Sequence, residues 1–172
     1  MKKTLFLAIT ADGLIAKEDD QVTWSEDVWK NYFKYCSDVG YLMVGRRTFD
    51  LMHQTGEYTH IKLKKFIIIS TKPKPAGVPG EWFTSHTQAF EFLSKEGCAH
   101  MVVGGGRYLA NILLAENLLD EIQLDIEPKL YGTGVPLFGK IPCECNLELV
   151  ETFKSGKSTV RVLYKVLHPG PA

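Results

Sequence analysis

The feature that most constrains this chain is a recurring phrase in which a short apolar run stops at a small or polar residue and gives way to helical spacing. Thr4–Ile9, Tyr41–Val44, Phe66–Ile69 and Met101–Val103 are too short for buried helices and are rich in Leu, Ile and Val, which predicts buried strands. Helices are predicted between them. Ser25 can cap one whose first turn carries Glu26 and Asp27, and Val28, Trp29, Tyr32, Phe33 and Cys36 recur at helical spacing after it. Thr48–Gln54, Thr87–Lys95 (Phe90 and Leu93 inward) and Tyr108–Ala115 (Leu109, Ile112 and Leu113 inward) are the others. Such alternation predicts an α/β fold with a central, mostly parallel sheet covered on both faces by helices.

The last third reads differently. Ile122, Leu124 and Ile126 alternate with Gln123, Asp125 and Glu127, which predicts a half-buried strand with a solvated polar face. Leu147–Phe153 and Thr159–Leu167 flank Lys154-Ser155-Gly156-Lys157, a hairpin signal, so a C-terminal antiparallel hairpin is expected at one sheet edge. Trp82-Phe83 is a further short strand. Lys72–Gly80 and Gly132–Phe138 are loops by their Gly and Pro content. With 172 residues, no repeat and no linker, one domain over residues 1–168 and a short tail over 169–172 are expected.

Twenty Lys+Arg balance twenty Asp+Glu, a formal net charge of zero. That excludes an extended nucleic-acid backbone far better than it excludes one dinucleotide, because Arg46, Arg47 and Arg107 are clustered at two strand ends. No apolar stretch approaches the roughly 20 residues a membrane helix needs. The apolar N-terminal run ends at Asp12 without a small-residue cleavage pattern, so a signal peptide is not expected. Four scattered cysteines (Cys36, Cys98, Cys143, Cys145) and five histidines without metal-ligand spacing predict no metal and a cytoplasmic compartment. Cys143-Glu144-Cys145 is the nearest approach to a zinc half-site.

In parallel sheets ligands bind beyond the carboxyl ends of the strands, which directs attention to Ala11–Ala16, Gly45–Thr48, Ser70-Thr71, Gly104–Arg107 and Asp125–Gly134. Gly104-Gly105-Gly106-Arg107 joins a strand to a helix, where a backbone without Cβ atoms can approach a phosphate. It is not a Rossmann fingerprint, since Leu109 stands where the third glycine belongs. Gly45-Arg46-Arg47-Thr48 has the same placement and adds two guanidiniums suited to bidentate phosphate contacts. Gly134–Ile141 nearly matches a P-loop but puts Ile141 where the magnesium-binding hydroxyl is required. No Gly-x-Ser-x-Gly elbow or Cys/His pair offers a nucleophile. Among the carboxylate pairs Asp27 stands out: early on a helix beside Trp24, Trp29 and Phe33, it could have a raised pKa and relay a proton.

In order along the chain, these pieces resemble the dihydrofolate reductase superfamily, and more closely the C-terminal reductase domain of the riboflavin-biosynthesis deaminase–reductase. The resemblance rests on Ala8–Ala16, Val44–Phe49, Ile67–Thr71, Val102–Gly106, and Leu118–Ile122 continuing through Pro128, Leu130, Gly132, Gly134, Pro136, Leu137 and Phe138. It implies NADPH binding and hydride transfer to a heterocyclic or aminopyrimidine substrate. By the same resemblance Ala8, Ile15 and Ala16 line the nicotinamide. Gly45, Arg46, Arg47 and Thr48 hold the pyrophosphate and the 2′-phosphate side, and Ser70 and Thr71 sit by the adenosine phosphate. Val103, Gly104, Gly105, Gly106, Arg107 and Tyr108 wrap the pyrophosphate and nicotinamide ribose. Trp29, not an acid, stands four residues before Phe33, where dihydrofolate reductases carry their carboxylate. A stand-alone reductase of the riboflavin type is therefore the leading expectation. Dihydrofolate reduction through Asp27 and a non-catalytic nucleotide-binding module are the alternatives, and the hairpin edge is compatible with a homodimer.

Overall fold

Local chemistry sets the helix starts before packing does. In the computed structural model, which describes residues 1–139 and 144–168, α1 (Glu26–Val39) begins where the Ser25 hydroxyl accepts the Val28 N–H at 3.4 Å. It stops where Gly40 turns left-handed (φ 77°) and returns its N–H to the Cys36 carbonyl. α2 (Arg46–Thr55) and α4 (Arg107–Ala115) start after glycines, Gly45 and Gly106, and have no side-chain cap. Between them in sequence, α3 (His86–Lys95) is capped by Ser85, which accepts the Gln88 N–H. α2 begins two residues earlier than its spacing predicts. Gly45 supplies the extended N-cap backbone (φ −77°, ψ 162°) without a side chain, and this brings Arg46 and Arg47 into the first helical turn.

The strands are β1 (Lys2–Thr10), β2 (Leu14–Ala16), β3 (Tyr41–Gly45), β4 (Lys65–Ile69), β5 (Glu81–Phe83), β6 (His100–Val103), β7 (Glu121–Glu127), β8 (Val135–Pro136), β9 (Asn146–Lys154) and β10 (Val160–Leu167). Among the described residues eight of them form one sheet in the order β5-β4-β3-β6-β1-β7-β10-β9. From β5 to β7 the pairing is parallel, and β10 runs antiparallel to both β7 and β9. The predicted parallel sheet with an antiparallel hairpin at one edge is the architecture found. β2 and β8 pair separately; at three and two residues they are too short to leave a periodicity, and β8 lies inside the stretch expected to be loop.

Successive residues of the central strands point to opposite faces, and each face has its own core. Leu5, Met43, Ile67 and Val103 pack against α3 and α4 through Leu93, Leu109 and Leu113. Phe6, Leu42, Val44, Ile68 and Val102 pack against α1 and α2 through Tyr32, Cys36, Phe49 and Met52. Each large side chain so buried stabilises by about 1.5–3 kcal/mol.

One strand departs from expectation. The polar residues of β7 were expected in solvent, yet Gln123, Asp125 and Glu127 are 6%, 0% and 1% exposed. The cause is position: β7 is an interior strand between β1 and β10, and the start of α1 and the β9–β10 turn cover its polar face. Each carboxylate has its own partners, as a buried charge requires. Asp125 receives two bonds from Arg161, at 2.7 and 2.6 Å, and one from the Ser155 hydroxyl. Glu127 accepts the hydroxyls of Ser25 at 2.5 Å and Thr159 at 2.9 Å and pairs with Lys129. Burial opposes its charge, but these donors outweigh burial and hold the Glu127 carboxyl below its ordinary range.

Among the described residues no helix is long and apolar enough to cross a membrane. Cys143 of the C-x-C pair, Lys140 and Ile141 of the P-loop-like string, and the tail 169–172 lie outside the described residues.

Candidate functional site

A cavity of about 1330 Å³ runs along the carboxyl edge of the parallel strands. That exceeds the roughly 300–1,000 Å³ which holds one small molecule, so there is room for two ligands. It has two limbs, because the strand exits open onto both faces of the sheet.

The first limb is built from the exits of β4, β3 and β6. Ser70, Thr71 and Lys72 follow β4, Gly45–Thr48 lead into α2, and Gly104–Tyr108 lead into α4; all line the cavity. The loops are stitched by backbone: Gly104 N–H donates to Met43 O at 2.9 Å and Gly45 N–H to Gly105 O at 3.3 Å. A Cβ at Gly104 would overlap the Tyr32 hydroxyl and Leu42 Cδ1, and Gly106 has φ 91°, a conformation glycine adopts without strain. The Tyr32 hydroxyl donates to Gly104 O at 3.1 Å; burial pushes the phenol well above its ordinary pKa, so it remains a donor. The turn before α4 is thus too tight for side chains, whereas Gly45 before α2 has open space around it; neither helix N-terminus has a side-chain cap. Arg107 and Lys72 make no ion pair among the described residues. Arg46 donates to both oxygens of Asp50 and lies 5.2 Å over the Trp82 ring, while Arg47 pairs with Asp20.

The second limb lies between α1 and α2. Trp24, Trp29, Tyr32 and Phe33 form one wall, Leu51, Met52 and Thr55 the other, and the partly buried Glu57 and exposed His60 stand at the end. Trp29 and Phe33 stack at 5.5 Å, and Phe33 and His60 at 5.3 Å. Burial pushes Glu57 up, with the Thr55 hydrogen bond and His60 opposing. Phe6, Ala8 and Asp125 form the floor, and the parallel register Ala8↔Asp125 sets the last two side by side. Ile15 and Ala16, positioned by the β2–β8 pairing, line the cavity too.

Two expected site residues lie elsewhere. Val103 does not line the cavity; it is fully buried in the core shared with α3 and α4, and only the chain after it reaches the site. Asp27 also lies off the cavity. Its carboxylate accepts the Lys157 N–H at 3.0 Å and packs against Gly156, so it clasps the β9–β10 turn to α1. Its place between Trp24 and Trp29 in the sequence suggested the site, but the hairpin that occupies it comes from far along the chain. Sequence spacing also passed over Glu57, His60, Lys72 and the Asp125–Arg161 pair. Asp125 alone left a signal, an acid on a strand that the alternation with helices places inside the sheet.

Comparison with known proteins gives a consistent answer. The model of the RibD C-terminal domain matches residues 2–161. Uncharacterized protein YwjB of Bacillus subtilis (strain 168) is 25% identical over 163 residues, covering 91% of this chain and 94% of its own. Among solved structures, a pyrimidine reductase-like protein from Corynebacterium diphtheriae aligns with TM-score 0.68 at 16% identity over 98% of this chain and 92% of that one. The diaminohydroxyphosphoribosylaminopyrimidine deaminase/5-amino-6-(5-phosphoribosylamino)uracil reductase of Thermotoga maritima aligns with TM-score 0.77 at 16% identity, over 96% of this chain and 56% of that one. At these identities the structures share the fold.

Proposed function

Because the chain belongs to the RibD C-terminal domain family, we propose that it is an NADPH-dependent reductase that delivers hydride to an aminopyrimidine-like acceptor of the riboflavin-biosynthesis type. One observation carries this reading: a single cavity joins a phosphate-suited limb, with two uncapped helix N-termini, to an aromatic slot that fits a planar ring. The dihydronicotinamide would supply the hydride; the protein's work is binding and orientation.

Each group has a role in that reading. The N–H groups after Gly45 and Gly106, with Thr48 and Arg107, hold the pyrophosphate. Arg46, Arg47, Ser70 and Thr71 face the adenosine and its 2′-phosphate. Gly104 and Gly105 let the backbone approach, Tyr108 covers the ribose, and Ala8, Ile15 and Ala16 leave a flat apolar bed for the nicotinamide. The stacked Trp29 and Phe33 then offer the acceptor one aromatic wall next to it. Asp27, held by Lys157, has no part in proton transfer. A cytoplasmic enzyme working as a homodimer completes the proposal. The nine-residue edge strand β9, with Leu147, Leu149, Val150 and Phe153 exposed, supports the dimer.

The test is loss of NADPH absorbance with 5-amino-6-(5-phosphoribosylamino)uracil, its dephosphorylated form, aminopyrimidines and dihydrofolate. Turnover with an aminopyrimidine, and none with dihydrofolate, is expected. Tight NADPH binding without oxidation across the whole panel would replace the enzyme by a nucleotide-binding module.

A further inference from the structure

The charge of the second limb narrows the acceptor, on the premise that the first limb holds the dinucleotide. A phosphate monoester leaving water needs replacement donors, preferably guanidinium or ammonium groups with free N–H bonds. Among the described residues the α1/α2 limb offers almost none. Arg161, the cation beneath the floor, spends Nε and Nη2 on Asp125 and is packed between the rings of Phe6 (4.7 Å) and Phe153 (5.7 Å). Arg46 and Arg47, at the junction of the limbs and paired with Asp50 and Asp20, are already assigned to the cofactor's 2′-phosphate on that premise, so they are not left for a second phosphate. His60 is stacked on Phe33. At the end formed by α2 and the residues after it stands a half-buried carboxylate, Glu57, which lines the cavity and which burial already disfavours as an anion; a second negative charge beside it would raise that cost.

We propose that the acceptor carries no phosphate or carboxylate: the slot between α1 and α2, ended by Glu57, selects an uncharged planar base or nucleoside. Glu57 is then a specificity determinant that acts by repulsion as much as by any contact it makes. The acceptor therefore differs in charge from the phosphorylated compound in the Thermotoga maritima enzyme's name, while the dinucleotide limb keeps Arg107 and Lys72, which make no ion pair among the described residues, for the cofactor's own phosphates.

The experiment is a titration with 5-amino-6-(ribosylamino)uracil and its 5′-phosphate, followed by the fluorescence of Trp24 and Trp29, with and without saturating NADP⁺. The dephosphorylated compound is expected to bind at least about tenfold tighter, a gap that shrinks as salt is raised. Glu57→Lys should bring the two within about threefold, and the isosteric Glu57→Gln should give an intermediate ratio. Equal or tighter binding of the phosphate overturns the proposal, as does a ratio unmoved by both variants, and as does failure of both compounds to bind. NADP⁺ binding is read in the same titrations. Its failure would remove the cofactor assignment while the selectivity ratio stays measurable, so the two losses are told apart.

Discussion

The two limbs of the cleft share one sheet edge and are built from opposite chemistry. Along the exits of β3, β4 and β6 the lining is backbone N–H, glycine and cations, and the helices that start there have no side-chain cap. Between α1 and α2 the lining is aromatic rings and carboxylates, and α1 starts on a serine whose hydroxyl already caps it. Capping makes the difference. A capped helix end is finished within the protein, whereas an uncapped one leaves its first N–H groups to a ligand. α2 belongs to both limbs: its uncapped N-terminus opens on the first, and Leu51, Met52 and Thr55 near its other end line the second.

Substitutions on the two limbs should separate stability and acceptor binding from cofactor binding. The largest effect is expected at Asp125, where Asp125→Ala leaves Arg161 buried without its partner. A loss of about 3–5 kcal/mol in denaturant unfolding is predicted, and a loss below 1 kcal/mol would mean that the floor of the second limb is not held by this pair. Next is Arg107→Ala. Removing a cation that makes no ion pair among the described residues should leave the melting temperature unchanged but weaken NADPH by about tenfold or more, since a charged hydrogen bond contributes about 1.5–3 kcal/mol. If acceptor binding in the presence of bound cofactor fell by the same factor, the limbs would not be separable.

A smaller effect is tied to pH. Glu127 has its pKa lowered in the folded state, so the unfolded chain binds its proton more readily. Its contribution is fully present above the ordinary glutamate value of 4.5 and is lost as pH falls through the lower folded value. Melting temperature should drop below about pH 4.5 in the wild type. In Glu127→Gln it should start lower and vary less over the same range; parallel curves would remove Glu127 as a source of acid lability. The smallest effect is Asp27→Asn, which weakens one bond to the Lys157 N–H. About 0.5–1.5 kcal/mol of stability should go while turnover stays within twofold. Abolished turnover with an unchanged melting temperature would return Asp27 to the chemistry.

The same two limbs explain what could be read from the chain. The phosphate-suited limb is local: Gly45–Thr48 and Gly104–Tyr108 are contiguous strand-to-helix turns, so residue order alone locates them, with Val103 misplaced because the residue before a turn still belongs to the core. The second limb is assembled from α1, α2, the residues after α2, β1 and β7, and no short window contains it. Asp27 was a local guess at a non-local site, and the hairpin some 130 positions along the chain claimed its carboxylate. Asp125 and Glu127 had the alternation of a strand with one solvated face, but the start of α1 and the β9–β10 turn, brought in by β10, cover that face. Register, unlike periodicity, depends on which strand arrives later.

The central claim is that the strand-exit limb is an NADPH site. Its most direct test is a paired titration of the intact chain with NADPH and NADH, followed by tryptophan quenching and repeated with Arg46→Ala, Arg47→Ala and Arg107→Ala. Micromolar NADPH affinity with at least tenfold preference over NADH is predicted. Arg46→Ala and Arg47→Ala should erode the preference, and Arg107→Ala should weaken both nucleotides alike. Affinity no better than millimolar, or equal affinity for the two nucleotides that no arginine alters, would contradict it.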